Sequence, residues 1–428
     1  MRKPGRPLLR YLDVKQVEDK GEPLFVLRDP LRVTDEVRVL NVAQIAICQL
    51  LDGTRTPKEI AQEFEKRHGV KAPVEQVEKF LEMLDQSLFL QGERVALALA
   101  QWRKDPVRKP ACAGSSYPAE REELVRYLAR QYTRPGGPGA PPDGAAKGPP
   151  IRGVLSPHID FDRGGHAYAH AWKAVAESCE ADLFVVFGTA HHGTESARFG
   201  LTRKTYDTPL GPVPTDVELV ERVVAAYKGP DDLFEGELAH KGEHSIEFQM
   251  VQLAHLYGEG GHSPRKIKAL PVLCGTIHDL LDGPGSGVRK PSEDARVRSF
   301  QEALWKALES YAPGRVCFVG GVDLAHVGTQ FSDPKLTRAQ LDRYVEKDKA
   351  TLEIVTEKQD ADLFHQDLAE DESRKICGHA PIHATLEALG RTGRKHRGEL
   401  LKYDSWYDGE SSVTFCSVVF RDGKKRRA

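Results

Sequence analysis

The segments Arg152-Gly-Val-Leu-Ser-Pro-His-Ile-Asp160 and Leu183-Phe-Val-Val-Phe-Gly-Thr-Ala-His-His192 share one grammar: a short apolar run stops abruptly in a polar loop carrying histidine. Two further copies follow. Ala269-Leu-Pro-Val-Leu273 stops at Cys274-Gly275, and Arg315-Val-Cys-Phe-Val319 runs into Gly320-Gly-Val-Asp-Leu-Ala-His326. Short apolar runs bounded by turn signals read as buried strands, and the helical stretches between them predict an α/β sheet. In open α/β sheets, sites form in the crevice beyond the carboxyl ends of strands. His158, His191, His192, Asp323 and His326 all fall just after an expected strand. A lone loop histidine is usually structural, but three such loops off one sheet can converge on a metal ion, for which neutral imidazole is a common ligand. His191 and His192 are adjacent and point in different directions, so one of them is the candidate ligand.

Outward from these loops, Lys375-Ile-Cys-Gly-His-Ala-Pro-Ile-His383 places Cys377 just before an expected helix over 381–389. A thiol near a helix N-terminus is biased towards thiolate, the form that binds metal. Cys48, Cys179, Cys274, Cys317 and Cys416 read instead as small buried hydrophobes. In Glu243-His-Ser-Ile-Glu247, a helical reading puts His244 and Glu247 on one face, where the carboxylate can orient the ring. Ser245 as a simple helix cap is the alternative.

Composition narrows the class. The chain has 428 residues, 61 Lys+Arg against 63 Asp+Glu and a formal net charge of −2, with 40% hydrophobic residues. At roughly 150 residues per domain this suggests two or three domains. The charge balance argues against a broad nucleic-acid-binding face. Apolar runs such as 183–187 and 413–420 are far shorter than the ~20 residues of a spanning helix, so no membrane association is expected. No secretory signal is visible at the N-terminus. Seven scattered cysteines without a C-x-x-C pair point to reduced thiols in a cytoplasmic protein. Residues 133–150 are too rich in Gly and Pro for helix or ladder and read as a loop. Residues 279–292 read as a surface excursion, and 423–428 as a basic tail.

The first hundred residues differ in style. Residues 42–51 are apolar-rich and end at Asp52-Gly53, a turn signal. Thr56-Pro57-Lys58-Glu59 is a capping-box start for a helix over 57–68, stopped by Gly69. Val74, Val77, Phe80, Leu81 and Leu84 recur at helical spacing, and Leu88-Phe-Leu90 suggests a small strand pair turning at Gly92. Residues 23–100, after an extension over 1–22, therefore read as a winged-helix-like unit. Its Gln49–Ile60 and Val77–Leu84 stretches resemble the PqqD-like family, which implies binding of a precursor peptide for a radical-SAM partner enzyme. Lys58, Lys66, Arg67 and Lys71 are interleaved with Glu59, Glu63 and Glu65, leaving no basic stripe for DNA.

Residues 108–422 resemble the Memo-like family, called protein B of the AmmeMemoRadiSam system in prokaryotes. The matching stretches are Ala113-Gly-Ser-Ser-Tyr-Pro118, Ser156-Pro-His158, Gly188-Thr-Ala-His-His192, Tyr206–Asp216, Glu243-His-Ser-Ile-Glu247, Asp323-Leu-Ala-His326 and Ile376-Cys-Gly-His-Ala-Pro-Ile382. The resemblance makes the Pro/Gly-rich stretch an internal loop. It implies a mixed sheet flanked by helices, like that of class III extradiol dioxygenases, and a metal held by His158, His191 and Cys377. It further implies pocket roles for His244, Asp323 and His326, with His192 as a neighbour of the ligands. Asp160 departs from the family pattern and would add a carboxylate beside the metal.

The expected chemistry is redox or dioxygenase-like, on a small molecule or peptide. Two histidines and one anion leave open positions on Fe(II), and the sulfur also suits copper or zinc. His326 or His244 would act as general base, with Asp323 orienting it. The rival is a non-catalytic metal-binding adaptor or peptide-presenting partner.

Overall fold

The computed structural model describes residues 5–143, 148–192, 197–281, 287–312 and 314–423. The basic tail from 424 onward and the centre of the 279–292 excursion lie outside the described residues. The chain divides into two compact units, Met1–Pro106 and Val107–Ala428.

In the first unit, strands β1 (Asp13–Asp19), β2 (Glu22–Arg28) and β3 (Arg38–Leu40) form an antiparallel sheet. It is followed by helices α1 (Val42–Cys48), α2 (Pro57–His68), α3 (Val74–Gln86) and α4 (Glu93–Lys104). The capping box at Thr56 and Glu59 is present, and Gly69 ends α2 in the left-handed conformation. The β1–β2 hairpin runs straight across the boundary expected at residue 23, so residues 13–22 are part of this unit's sheet and not an extension. No strand pair follows α3. Leu90 bridges back to Leu9, and the Ala- and Leu-rich run after Gly92, made of strong helix formers, continues as α4.

The second unit contains β4 (Val107–Arg108), α5 (Arg121–Thr133), β5 (Ile151–Ser156), α6 (Phe161–Ser178), β6 (Leu183–Thr189), β7 (Phe199–Leu201), β8 (Thr205–Tyr206), α7 (Val217–Ala226) and α8 (Ala239–Gly242). Then come α9 (His244–Tyr257), β9 (Lys268–Cys274), α10 (Ala295–Leu308), β10 (Val316–Gly321), β11 (Asp323–Gly328), α11 (Arg338–Glu353), α12 (Ala361–Ala369), α13 (His379–Arg391), β12 (His396–Tyr407) and β13 (Ser411–Asp422). The main sheet runs β11-β13-β5-β10-β6-β9-β7, with β12 also paired to β13. Strands β5, β10, β6 and β9 are mutually parallel where paired, as the four apolar runs predict. Nearly continuous burial along β5 and β6 is what helices on both faces of a parallel sheet produce.

Two local devices place the site at the carboxyl ends of β5, β6 and β10. The first is a handover on one edge of β13. Strand β5 pairs with residues 418–421, and β11 takes over along 411–415. The Val322 N–H donates to the Ser156 carbonyl at 2.8 Å, so the chain leaving β10 crosses over just where Pro157 ends β5. The second is a register irregularity between Asp323 and His326. Side chains three apart on a regular strand face opposite ways; an extra residue in the ladder turns both towards one side.

Three imidazoles away from these loops matter for stability. His240, His255 and His365 are buried, and burial pushes them down to about 3, 4 and 4. The unfolded chain binds protons on these rings below pH ~6.5, whereas the folded chain resists doing so until about pH 4. Stability therefore falls with acid across that window, by about 1.4 kcal/mol per pH unit for each ring. Urea midpoints between pH 7 and 4.5 should drop accordingly, and His240→Gln should flatten the slope. A level midpoint down to pH 5 would contradict the assignment.

Candidate metal centre

Each functional side chain is placed by a named packing contact. Helix α9 anchors the β5 loop, since the Gln249 side-chain amide donates to the Pro157 carbonyl at 2.8 Å. It also holds the end of β6, where the Ser245 hydroxyl donates to the Thr189 carbonyl at 2.9 Å. The Thr189 hydroxyl in turn donates to the Cys377 carbonyl at 3.0 Å. Two glycines permit these approaches. A Cβ on Gly321 would lie 2.5 Å from the Ser245 carbonyl, and one on Gly378 would lie 2.4 Å from that of Asp323.

His158, His191 and Cys377 come together as the sequence predicts, each offering a donor atom within 4.8 Å of the others. His158 Nε2 is 3.0 Å from Cys377 Sγ, while its Nδ1 lies 3.0 Å from the Gly321 carbonyl. A carbonyl only accepts, so Nδ1 carries a proton and Nε2 is the nitrogen that faces the sulfur. The same logic covers the other rings. His191 Nδ1 is 3.1 Å from both oxygens of Glu243, His244 Nδ1 is 3.2 Å from Glu243 Oε1, and His326 Nδ1 is 3.0 Å from the Leu324 carbonyl. All four imidazoles are thus protonated at Nδ1 and present Nε2.

The donor set fits a transition-metal ion on chemical grounds: two pre-oriented imidazole nitrogens and a sulfur held as thiolate. Burial pushes the Cys377 thiol up, but the His158 and His326 imidazoles outweigh it and hold the group well below the ordinary thiol range. Burial likewise pushes His158 down, but the Cys377 sulfur and Asp323 carboxylate more than reverse this and raise it to about 9. Such a thiolate–imidazolium arrangement binds a cation by releasing protons. His158 and Asp323 are buried, whereas the His191 and His244 side chains are 27% and 37% exposed, so the centre opens to solvent on the α9 side.

Several expected roles move. Glu247 does not orient His244. It is fully buried against Arg108, accepts the Ala111 and Cys112 N–H groups at 2.9 and 2.8 Å, and bonds the Tyr117 hydroxyl. The orienting carboxylate is Glu243, the N-cap residue of α9, which also accepts the Ser245 N–H at 2.9 Å. Sequence spacing favoured the residue one turn along because helical geometry says nothing of a cap that folds back. Ser245 is not the cap. Asp323 does not hold His326; its Oδ1 accepts the His158 N–H at 3.0 Å, and its Oδ2 lies 3.5 Å from His158 Nε2. Its pKa is raised, chiefly by burial. His326 is set by Leu324 and by an edge-on contact with the Phe331 ring at 5.0 Å, and its Nε2 is 3.9 Å from Cys377 Sγ. Asp160 is not beside the donor set. It caps α6, accepting the Arg163 N–H at 3.0 Å and pairing with the Arg163 guanidinium at 2.6 Å. His192 is exposed, and it is His191 whose N–H and ring both meet Glu243.

The seven cysteines are all free, and those other than Cys377 are buried. Among the described residues, no helix is long and apolar enough to cross a membrane. The profile of the family described as Memo-like protein matches residues 108–419. A MEMO1 family protein of Aquifex aeolicus is 26% identical over 421 residues, covering 97% of this chain and all of its own length. One from Methanopyrus kandleri is 30% identical over 321 residues, 74% of this chain and 99% of its own. Another, from Thermus thermophilus, is 28% identical over 71% of this chain and 81% of its own. The Aquifex alignment is long enough to take in the N-terminal unit, whereas the Methanopyrus alignment has about the length of the second unit alone. This chain belongs to the Memo-like family.

Proposed function

We propose that this chain holds one transition-metal ion between His158, His191 and Cys377 and performs oxygen-dependent or other redox chemistry on a small molecule or peptide. The reading is carried by the convergence of three donor atoms within 4.8 Å on rings already pinned through their other nitrogens. Fe(II) suits the set best, with copper or zinc as alternatives, because a thiolate selects against magnesium. Bound there, such an ion supplies open coordination positions and, for iron or copper, a redox couple.

The remaining work falls to the chain itself. Glu243 retains the Nδ1 protons of His191 and His244 and keeps their rings stacked, 4.8 Å apart. His244, on the open side, presents a bare Nε2 that accepts a hydrogen bond from an incoming hydroxyl group, since burial pushes its pKa down to about 3. His326, beside the sulfur, is the proton-carrying group. Asp323 fixes the His158 loop. The N-terminal unit is read as a PqqD-like winged-helix module that presents a peptide, with a radical-SAM enzyme as partner, in the cytoplasm. That separate unit also favours a second reading, in which the chain is a metal-binding adaptor without turnover.

Three measurements decide between these readings. Elemental analysis after anaerobic Fe(II) loading should show His158→Ala and Cys377→Ser losing most of the metal, while Cys274→Ser retains it; equal contents would refute the donor assignment. Glu243→Gln should weaken metal binding by roughly 10–100-fold, since it removes the negative charge and one of the two oxygens that accept from the rings. Oxygen uptake with catechols and candidate peptides should exceed that of the metal-free protein. Uptake that never rises above background would favour the adaptor.

A further inference from the structure

The metal centre is braced by a residue at the very start of the second unit. Arg108 lies in β4, two residues beyond the unit boundary at Pro106, and is fully buried. Its guanidinium spreads over four groups: Nε donates to the His240 carbonyl at 2.8 Å, Nη2 to the Glu243 carbonyl at 2.9 Å, and Nη1 to the Glu247 carboxylate and to the Lys109 carbonyl at 3.1 Å. Tyr206 lies under it, 4.9 Å from ring centroid to guanidinium carbon. The planar fork therefore grips both ends of the turn that leads into α9, from His240 to Glu247.

Glu243 sits inside that grip, and its side chain is the acceptor for the Nδ1 protons of His191 and His244. Its backbone carbonyl is bonded by Arg108, and its carboxylate faces the imidazoles. A shift of that peptide moves the carboxylate relative to both rings. Lysine cannot replace the fork, because an ammonium is a point charge that does not span four divergent acceptors. Glu247 neutralises the cation, so the contact acts by geometry and not by placing net charge near the imidazoles.

We propose that Arg108 is a positioning residue of the metal centre, holding Glu243 where it fixes the tautomers and stacking of His191 and His244. Arg108 is itself held in place by β4, which pairs with β8 at residues 107 and 108. This rests on the metal-binding reading above.

The test uses Co(II) added to the full-length metal-free chain, read by its visible absorption and by titration. Arg108→Lys should remain folded by near-ultraviolet circular dichroism, bind Co(II) roughly tenfold more weakly, and show a shifted spectrum. Tyr206→Phe removes the 2.8 Å bond between the Tyr206 hydroxyl and His240 Nδ1 without touching Glu243. It should lower thermal stability while leaving Co(II) affinity and spectrum unchanged. Should Arg108→Lys fail to fold, the charge-neutral pair Arg108→Gln with Glu247→Gln is read in the same way. Folded variants with wild-type affinity and spectrum would overturn the inference alone, as would an equal loss of affinity in Tyr206→Phe. A wild-type chain that binds no Co(II) would overturn the metal-site reading, and this inference with it.

Discussion

Everything in the centre depends on where four protons sit. Imidazole has two nitrogens and a neutral ring carries one hydrogen, so a ring is useful to a cation only if something else claims that hydrogen. Here the Gly321 and Leu324 carbonyls and the Glu243 carboxylate make the claim. The carbonyls come from the strand ends themselves, so the sheet that creates the crevice also sets the chemistry of its lining. Glu243 serves two rings at once and is itself held by the first turn of α9.

The sulfur completes the balance. Cys377 lies between His158 and His326, and each neighbour stabilises the other's charge in a place where burial opposes any charge at all. Removing one member would leave its partners buried with an uncompensated preference, a costly condition in a low-dielectric setting. A cation entering this arrangement replaces protons already held at shared positions, so the protein has little rearrangement to make.

How much of this was legible in the residues follows from the range of each signal. The parallel strands announce themselves through local apolar runs, and the loop histidines through their position immediately afterwards. Cys377 stands out by its Gly and Pro neighbours. The β12–β13 hairpin was not anticipated, because β12 mixes Lys, Asp and Ser with its apolar residues and β13 reads only as a short apolar stretch. The irregularity that turns Asp323 and His326 to one side depends on the partner strand, which local pattern cannot reveal. The choice of Glu243 over Glu247 turns on how a cap residue folds back, and Glu247 is taken by a segment some 130 residues away in sequence. The Asp160 carboxylate looks chemical by proximity in sequence, yet the start of α6 claims it.

The Pro/Gly-rich stretch between α5 and β5 takes on a meaning from its location. Pro150 accepts the Asp422 N–H at 2.8 Å, which fixes the last residue of the stretch at the amino end of the parallel strands, whereas its start lies at the other end, where the Arg134 guanidinium donates to the Asp162 carbonyl at the head of α6. The histidines and the sulfur share that far end, so the length of the sheet separates them from Pro150. Pro150 therefore marks the place for grafting a reporter or an affinity handle, because extra residues there load the amino edge of the sheet and not the crevice that gathers the donor atoms.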